Sequence, residues 1–390
     1  MIRYLAVAAA LAAMAAPAAA QDKVKIGFVS TFTGPTAVIG EDMRNAAEIA
    51  LEHLGRKMAG LTVEMIYEDD QQRPEVGKQK TDKLVEADKV NFITGYIWSN
   101  VLLAAYKPVV DSQTFLISAN AGPSQIAGEQ CSPWFFSTPW HNDQTPEAMG
   151  ETMNQRGIKS LYIISPNYAA GRDMAEGVKR TFKGQIVGED YTKWPEQLDF
   201  AAELSKARAA KPDALFVFFP GRAGVQILVQ YNQAGLKGQV PLYQVYTIDS
   251  LSLPLQKEMA IGVPGTQSWV NDLPNEANKR FVADFRKKHG GKYPSFYGAQ
   301  SYDAIMLIDS AVRAAKGKLS DKDAMRAAMR KADYPSVRGK YRYGNNHFPI
   351  QNFYLQDTVL DAEGNYTLKT VSTVLKDHQD SYASKCPMKW

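Results

Sequence analysis

The chain lacks most of what would announce a chemistry. It has 2 cysteines and 5 histidines in 390 residues. The histidines (His53, His141, His289, His347 and His378) are scattered, with no i, i+4 pair to grip a metal ion. Cys131 and Cys386 are too few and too far apart in sequence to form a zinc site by themselves. There is no G-x-x-x-x-G-K-[ST], no H-E-x-x-H, no G-x-S-x-G, and no G-x-G-x-x-G after a strand. The one tight acidic triplet, Glu68-Asp69-Asp70, ends a predicted strand and reads as a capping loop. The expectation is therefore no enzyme, no cofactor and no metal. Lys and Arg total 45 against 41 Asp and Glu, and they form no long run. Nucleic-acid binding has no support in that pattern. Past residue 20, no stretch is apolar enough to cross a membrane.

What is present is ordinary globular composition, with 45% apolar and 22% charged residues. The length predicts roughly two domains of about 100–200 residues. Residues 1–20, MIRYLAVAAALAAMAAPAAA, place one Arg before an apolar run and end in small residues. This reads as a secretory signal peptide cut after Ala20, so a periplasmic protein is expected. The run is too short, too Ala-rich and too interrupted by Pro17 for a membrane span. An even cysteine count in an exported chain suggests a Cys131–Cys386 disulfide.

The hydrophobic pattern alternates between periods of 2 and 3.6. Strands are predicted at 24–30, 61–68, 90–94 and 114–118, with helices over about 36–58, 74–88 and 100–111. The alternation resumes after residue 140. Helices at 143–156, 171–183, 199–210 and 222–235 separate strands at 160–164, 185–191, 213–219 and 241–246. Strands separated by helices of 10–15 residues mean βαβ units and parallel sheets. The fold class is α/β, with two doubly wound lobes. The last 120 or so residues differ. Helices near 275–289, 296–316 and 321–331 precede a strand-rich end with turns at 344–346 and 363–365. They complete and connect the lobes rather than add a third.

In doubly wound sheets, ligands bind beyond the carboxyl ends of the strands. The segments there are Ser30 to Gly40 with Gly34-Pro35, Gly95-Tyr-Ile-Trp-Ser99-Asn100, and Ser118-Ala119-Asn120-Ala121. The second lobe offers Asn167-Tyr168-Ala-Ala-Gly171 with Asp173, Pro220-Gly221-Arg222, and Tyr246-Thr247-Ile248-Asp249. With the Gly235–Gly238 segment G-L-K-G, this order and spacing resembles the extracellular solute-binding proteins of leucine/isoleucine/valine-type ABC importers. The resemblance covers 22–375. It implies the type I periplasmic binding fold, its two lobes joined by three crossings near 138–141, 265–270 and 347–352. The first lobe would comprise 21–139 plus 269–347, and the second 140–268 plus 348–390. It further implies a monomer that captures a small solute, delivers it to the membrane permease of an importer, and catalyses nothing.

The resemblance also assigns roles. The Ser99 position and the backbone after strand four (Ala119, Asn120, Ala121) would hold a ligand carboxylate. Ser99 and Asn100 open a helix, whose unpaired N–H groups favour an anion. Ile39 would be an apolar contact. Family members that take amino acids carry an acid after the strand at 241–246, to pair the ligand ammonium. Here Tyr246 stands there, with Asp249 three residues on. Arg222 is placed to pair with a carboxylate. Phe32, Tyr96, Trp98, Tyr168, Tyr246 and Tyr297 supply rings near the loops. Together these favour a small carboxylate, aromatic in kind. Branched-chain or other neutral amino acids, amides, and a soluble sensor role are the alternatives.

Overall fold

In the computed structural model, which describes residues 23–389, the chain builds two sheets. The expected signal peptide and its cleavage point lie outside the described residues. The first sheet holds β1 (Val24–Ser30), β2 (Lys57–Met58), β3 (Leu61–Asp69), β4 (Phe92–Gly95), β5 (Phe115–Ser118) and β6 (Phe135–Ser137), in the order β2-β3-β1-β4-β5-β6. All pairs are parallel except the β2–β3 hairpin. Every residue of β4 and β5 is buried, as expected of strands covered by helices on both faces. The covering helices are α1 (Ala37–His53), α2 (Pro74–Glu86) and α3 (Ser99–Asp111). The helix expected over 36–58 stops at His53. Gly55 and Arg56 take positive φ (62° and 56°), and the chain turns into the β2–β3 hairpin.

The chain then passes to the second lobe with α4 (Gln144–Gln155). β7 (Ser160–Pro166), α5 (Ala169–Thr181), β8 (Gln185–Thr192), α6 (Ala201–Ala210), β9 (Ala214–Phe218), α7 (Arg222–Gln233), β10 (Leu242–Val245), α8 (Leu253–Gln256) and β11 (Gly265–Gln267) follow. After β11 the chain returns to the first lobe. There α9 (Glu276–Lys288) and α10 (Phe296–Ala314) pack on α1, and α11 (Lys322–Lys331) packs on α10. Finally β12 (Arg342–Tyr343), β13 (Pro349–Leu360) and β14 (Tyr366–His378) join the second sheet. Its order is β12-β13-β11-β10-β9-β7-β8, with β14 on β13. The third passage stays close to the first lobe before β13. The His347 carbonyl accepts from Ser137 N–H, and the His347 ring stacks on Phe136 at 4.0 Å.

Cys131 and Cys386 form a disulfide, with Cα atoms 5.7 Å apart. It returns the tail beyond β14 to a loop of the first lobe. Two apolar clusters hold the fold. The larger runs through the first lobe and across the crossings, and the smaller fills the outer face of the second sheet around Phe200, Phe219 and Ile227. Among the described residues, no helix is long and apolar enough to cross a membrane. None of their His, Cys, Asp and Glu side chains cluster in a way that could hold a metal ion.

Candidate functional site

The carboxyl ends of both sheets face each other across a narrow cleft. Seven sequence-predicted residues line it: Trp98, Ser99, Asn120, Ala121, Tyr168, Tyr246 and Tyr297. Ser99 is the first residue of α3. The preceding Trp98 gives that helix no side-chain cap. The Ser99 and Asn100 N–H groups have no acceptor among the described residues, as expected at a helix start. They and the Ser99 hydroxyl present donors and positive potential at one end of the cleft. Trp98 is fixed by its indole N–H, which donates to Thr31 Oγ1 at 2.8 Å.

The backbone after β5 is arranged differently from the expectation. Ala119 N–H donates to the Gly95 carbonyl and Ala121 N–H to the Tyr96 carbonyl. Both donors are therefore used inside the first lobe. Ala119 is fully buried and lies outside the cleft lining. Asn120 donates its amide to the Ile97 carbonyl at 2.7 Å and leaves Oδ1 without a partner among the described residues.

Rings form much of the rest of the cleft. Tyr168 stacks on Trp194 at 4.8 Å, and Trp194 reaches Trp98 across the lobes at 5.4 Å. Tyr246 stacks on Trp140 at 4.5 Å and donates its hydroxyl to Thr145. Burial raises the phenols of Tyr168, Tyr246 and Tyr297 well above their ordinary value, so all three stay protonated. Tyr297 joins the lining, whereas Phe32 and Tyr96 do not. Tyr96 points into the first lobe and shares a hydrogen bond with Thr81. The Trp140 indole N–H is buried with no acceptor among the described residues.

Three other predicted residues stand outside the lining. Ile39 is buried at the cleft mouth. A Cβ placed on Gly221 of the opposite lobe would lie 3.6 Å from its Cδ1. Asn100 sits one residue beyond the lining, in the first turn of α3. Arg222 is exposed at the first position of α7. Gly221 before it turns at φ 62°, ψ −134°, and the Arg222 side chain stays in solvent. Asp249 does not reach the cleft lining either. Its Oδ1 accepts from the Leu251 and Ser252 N–H groups and closes a turn. Among the described residues, none in the lining carries a charge.

Sequence reasoning missed Trp140, Asn142, Met174, Phe218 and Phe296 among the lining. Phe296 and Tyr297 begin α10, and that start is held from α1. Asp42 Oδ2 accepts from the Ser295 hydroxyl and N–H. Burial lifts the Asp42 carboxyl to about 7 against those hydrogen bonds, and nearby Asp249 adds to the lift. The folded state therefore holds a proton that the unfolded chain releases near pH 4. Stability is lost as pH rises from about 4 to about 7, by up to roughly 4 kcal/mol. Asp42→Asn keeps an acceptor for Ser295 without the charge. Its stability advantage over wild type should grow across that window and stay flat above it. Urea unfolding at pH 4.5, 6 and 8 measures this, and a constant difference would contradict it.

A family model for the periplasmic binding proteins matches residues 23–364. The Leu/Ile/Val-binding protein homolog 6 of Brucella melitensis is 26% identical over 381 residues, covering 95% of this chain and 96% of its own. An ABC-transporter solute-binding protein from R. palustris, solved with benzoate, superposes with a TM-score of 0.87 at 27% identity. That match covers 94% of this chain and 100% of the other. A solute-binding protein from Rhodopseudomonas palustris BisB5, solved with 3,4-dihydroxybenzoic acid, gives 0.86 at 28% identity, over 92% and 99% of the two chains. The two parallel-sheet lobes, the cleft between their strand ends and the match along nearly the whole length agree: this chain belongs to the periplasmic binding proteins, as an ABC-importer substrate-binding protein of the branched-chain amino acid type.

Proposed function

We propose that this protein captures a small aromatic carboxylate in the periplasm and delivers it to the permease of an ABC importer, as a monomer and without catalysis. Export would follow cleavage after Ala20. The observation that carries the reading is the cleft lining. Rings surround a space with no charged side chain, and Ser99 with the α3 N-terminus offers donors at one end. A flat apolar body stacks between such rings, and its carboxylate is met by neutral donors and a helix dipole. The Trp140 indole N–H adds another donor. An α-amino acid fits less well, because no acid among the described residues lines the cleft to pair its ammonium. The structural relatives solved with benzoate and 3,4-dihydroxybenzoic acid support the ligand class.

Closure of the two lobes would bury the ligand, and the difference in affinity between open and closed forms drives the equilibrium. A thermal-shift screen of the refolded protein, residues 21–390, tests the reading. Refolding removes any solute that co-purifies. Benzoate and its ring-hydroxylated forms should raise the melting temperature by mass action, while leucine and valine leave it unchanged. A shift with the aliphatic amino acids alone would overturn the reading.

A further inference from the structure

Asp173 lies on α5 of the second lobe, outside the cleft lining, yet it joins three parts of the molecule. Its Oδ1 accepts from the Ser124 hydroxyl at 2.6 Å, and its Oδ2 accepts from Ser124 N–H at 3.0 Å. Ser124 belongs to the first-lobe loop after β5, so this pair spans the lobes. Oδ2 also accepts from Asn142 Nδ2 at 2.9 Å, on the first passage between lobes. The same Asn142 Nδ2 donates to Ser99 Oγ at 3.1 Å. Asp173, Asn142 and Ser99 are all buried.

The polarity of this chain is fixed. Asn142 Oδ1 accepts from Gly122 N–H at 3.2 Å, and Asn142 N–H donates back to the Gly122 carbonyl at 2.8 Å. A Cβ at residue 122 would lie 2.2 Å from the Trp140 carbonyl, so only glycine lets the two segments approach this closely. Turning the Asn142 amide over would set its oxygen against the Asp173 carboxylate and its NH₂ against Gly122 N–H. Asn142 must therefore donate a hydrogen bond to Ser99. The Ser99 oxygen is occupied as an acceptor, and its own proton is left for the cleft.

We infer that Asp173 is a positioning residue that latches the closed lobes through Ser124 and, through Asn142, makes the Ser99 hydroxyl a donor toward the ligand. The latch stands on its own, while the ligand half rests on the carboxylate reading above. A site with this polarity favours an ionised carboxylate over a neutral amide, whose carbonyl is the weaker acceptor for the Ser99 proton.

The test compares wild type with Asp173→Asn by calorimetry, using benzoate and its neutral isostere benzamide. In the variant one donor faces an NH₂ group, and of the two contacts that fix the Asn142 amide only Gly122 N–H remains. Benzoate affinity should fall at least tenfold, and the preference for benzoate over benzamide should fall by a similar factor. A variant whose affinity and preference both stay within twofold of wild type overturns the relay. Should Asp173→Asn not fold, Ser124→Ala opens the same latch, with an expected loss of about threefold in benzoate affinity; no loss overturns it. If wild type binds no aromatic carboxylate, the carboxylate reading fails and the donor assignment fails with it. Small-angle scattering of the unliganded proteins then decides the latch. A larger radius of gyration for Asp173→Asn supports it, and equal radii overturn it.

Discussion

Ser99→Ala is expected to weaken benzoate binding about tenfold to a hundredfold. The hydroxyl donates to a carboxylate, and hydrogen bonds to charged groups contribute about 1.5–3 kcal/mol. Each 1.4 kcal/mol is a factor of ten in Kd. The substitution keeps the backbone N–H and the start of α3, so part of the anion site survives. It also leaves one N–H of Asn142 without its acceptor, which adds to the loss. The natural control is Arg222→Ala. The sequence marks Arg222 as the carboxylate partner, but its side chain is exposed and outside the lining. Calorimetry should find that change within about twofold of wild type, since a solvent-screened charge contributes little. The reverse result, with Ser99→Ala neutral and Arg222→Ala damaging, would place the carboxylate at the cleft mouth.

The contrast between those two residues shows what could be read in advance. The strands were legible because buried parallel strands are short apolar runs between helical periods, as in Phe92–Gly95 and Ala214–Phe218. Topology then placed Trp98, Ser99, Asn120, Tyr168 and Tyr246 at the cleft, because the residues just past each strand sit at its carboxyl end. That rule fixes where a loop lies and not where a side chain points. Arg222 follows β9 as Ser99 follows β4, yet the turn at Gly221 leaves it in solvent. Trp140 and Asn142 had no signal, since a crossing segment has no period to read. Phe218 belongs to a strand buried on both faces, so alternation does not say which side meets the cleft. Phe296 comes from α10, brought to the cleft by contact with α1 and far from it in sequence. The three-residue strands β6 and β11 were too short for any pattern.

Arg338→Met should be the most destabilising of these changes, by about 3–5 kcal/mol, the cost of removing one partner from a buried ion pair. Arg338 is buried beside the third passage. Its Nη1 donates to the Pro139 carbonyl at 2.9 Å and to Gln351 Oε1 at 2.8 Å. Its Nε lies 3.4 Å from Asp303 Oδ2 on α10, an ion-pair distance rather than a hydrogen bond. One side chain thus fastens the first passage, the third passage and α10 together. Burial already pushes the Asp303 carboxyl up, and Arg338 opposes that. Without the guanidinium, Asp303 holds its proton to a higher pH, so the loss should be smaller at pH 5 than at pH 8. Adding Asp303→Asn should recover part of it at pH 8. Urea unfolding with an unchanged m-value measures both, and a loss below about 1 kcal/mol would remove Arg338 from the account. Its effect on binding should differ in kind from that of Ser99. The Arg338 hydrogen bonds and ion pair go to residues outside the cleft lining, but it holds α10, which carries Phe296 and Tyr297, against the passage that carries Trp140. Loosening that frame should weaken benzoate and benzamide by the same factor, whereas losing the Ser99 proton should penalise benzoate more than benzamide.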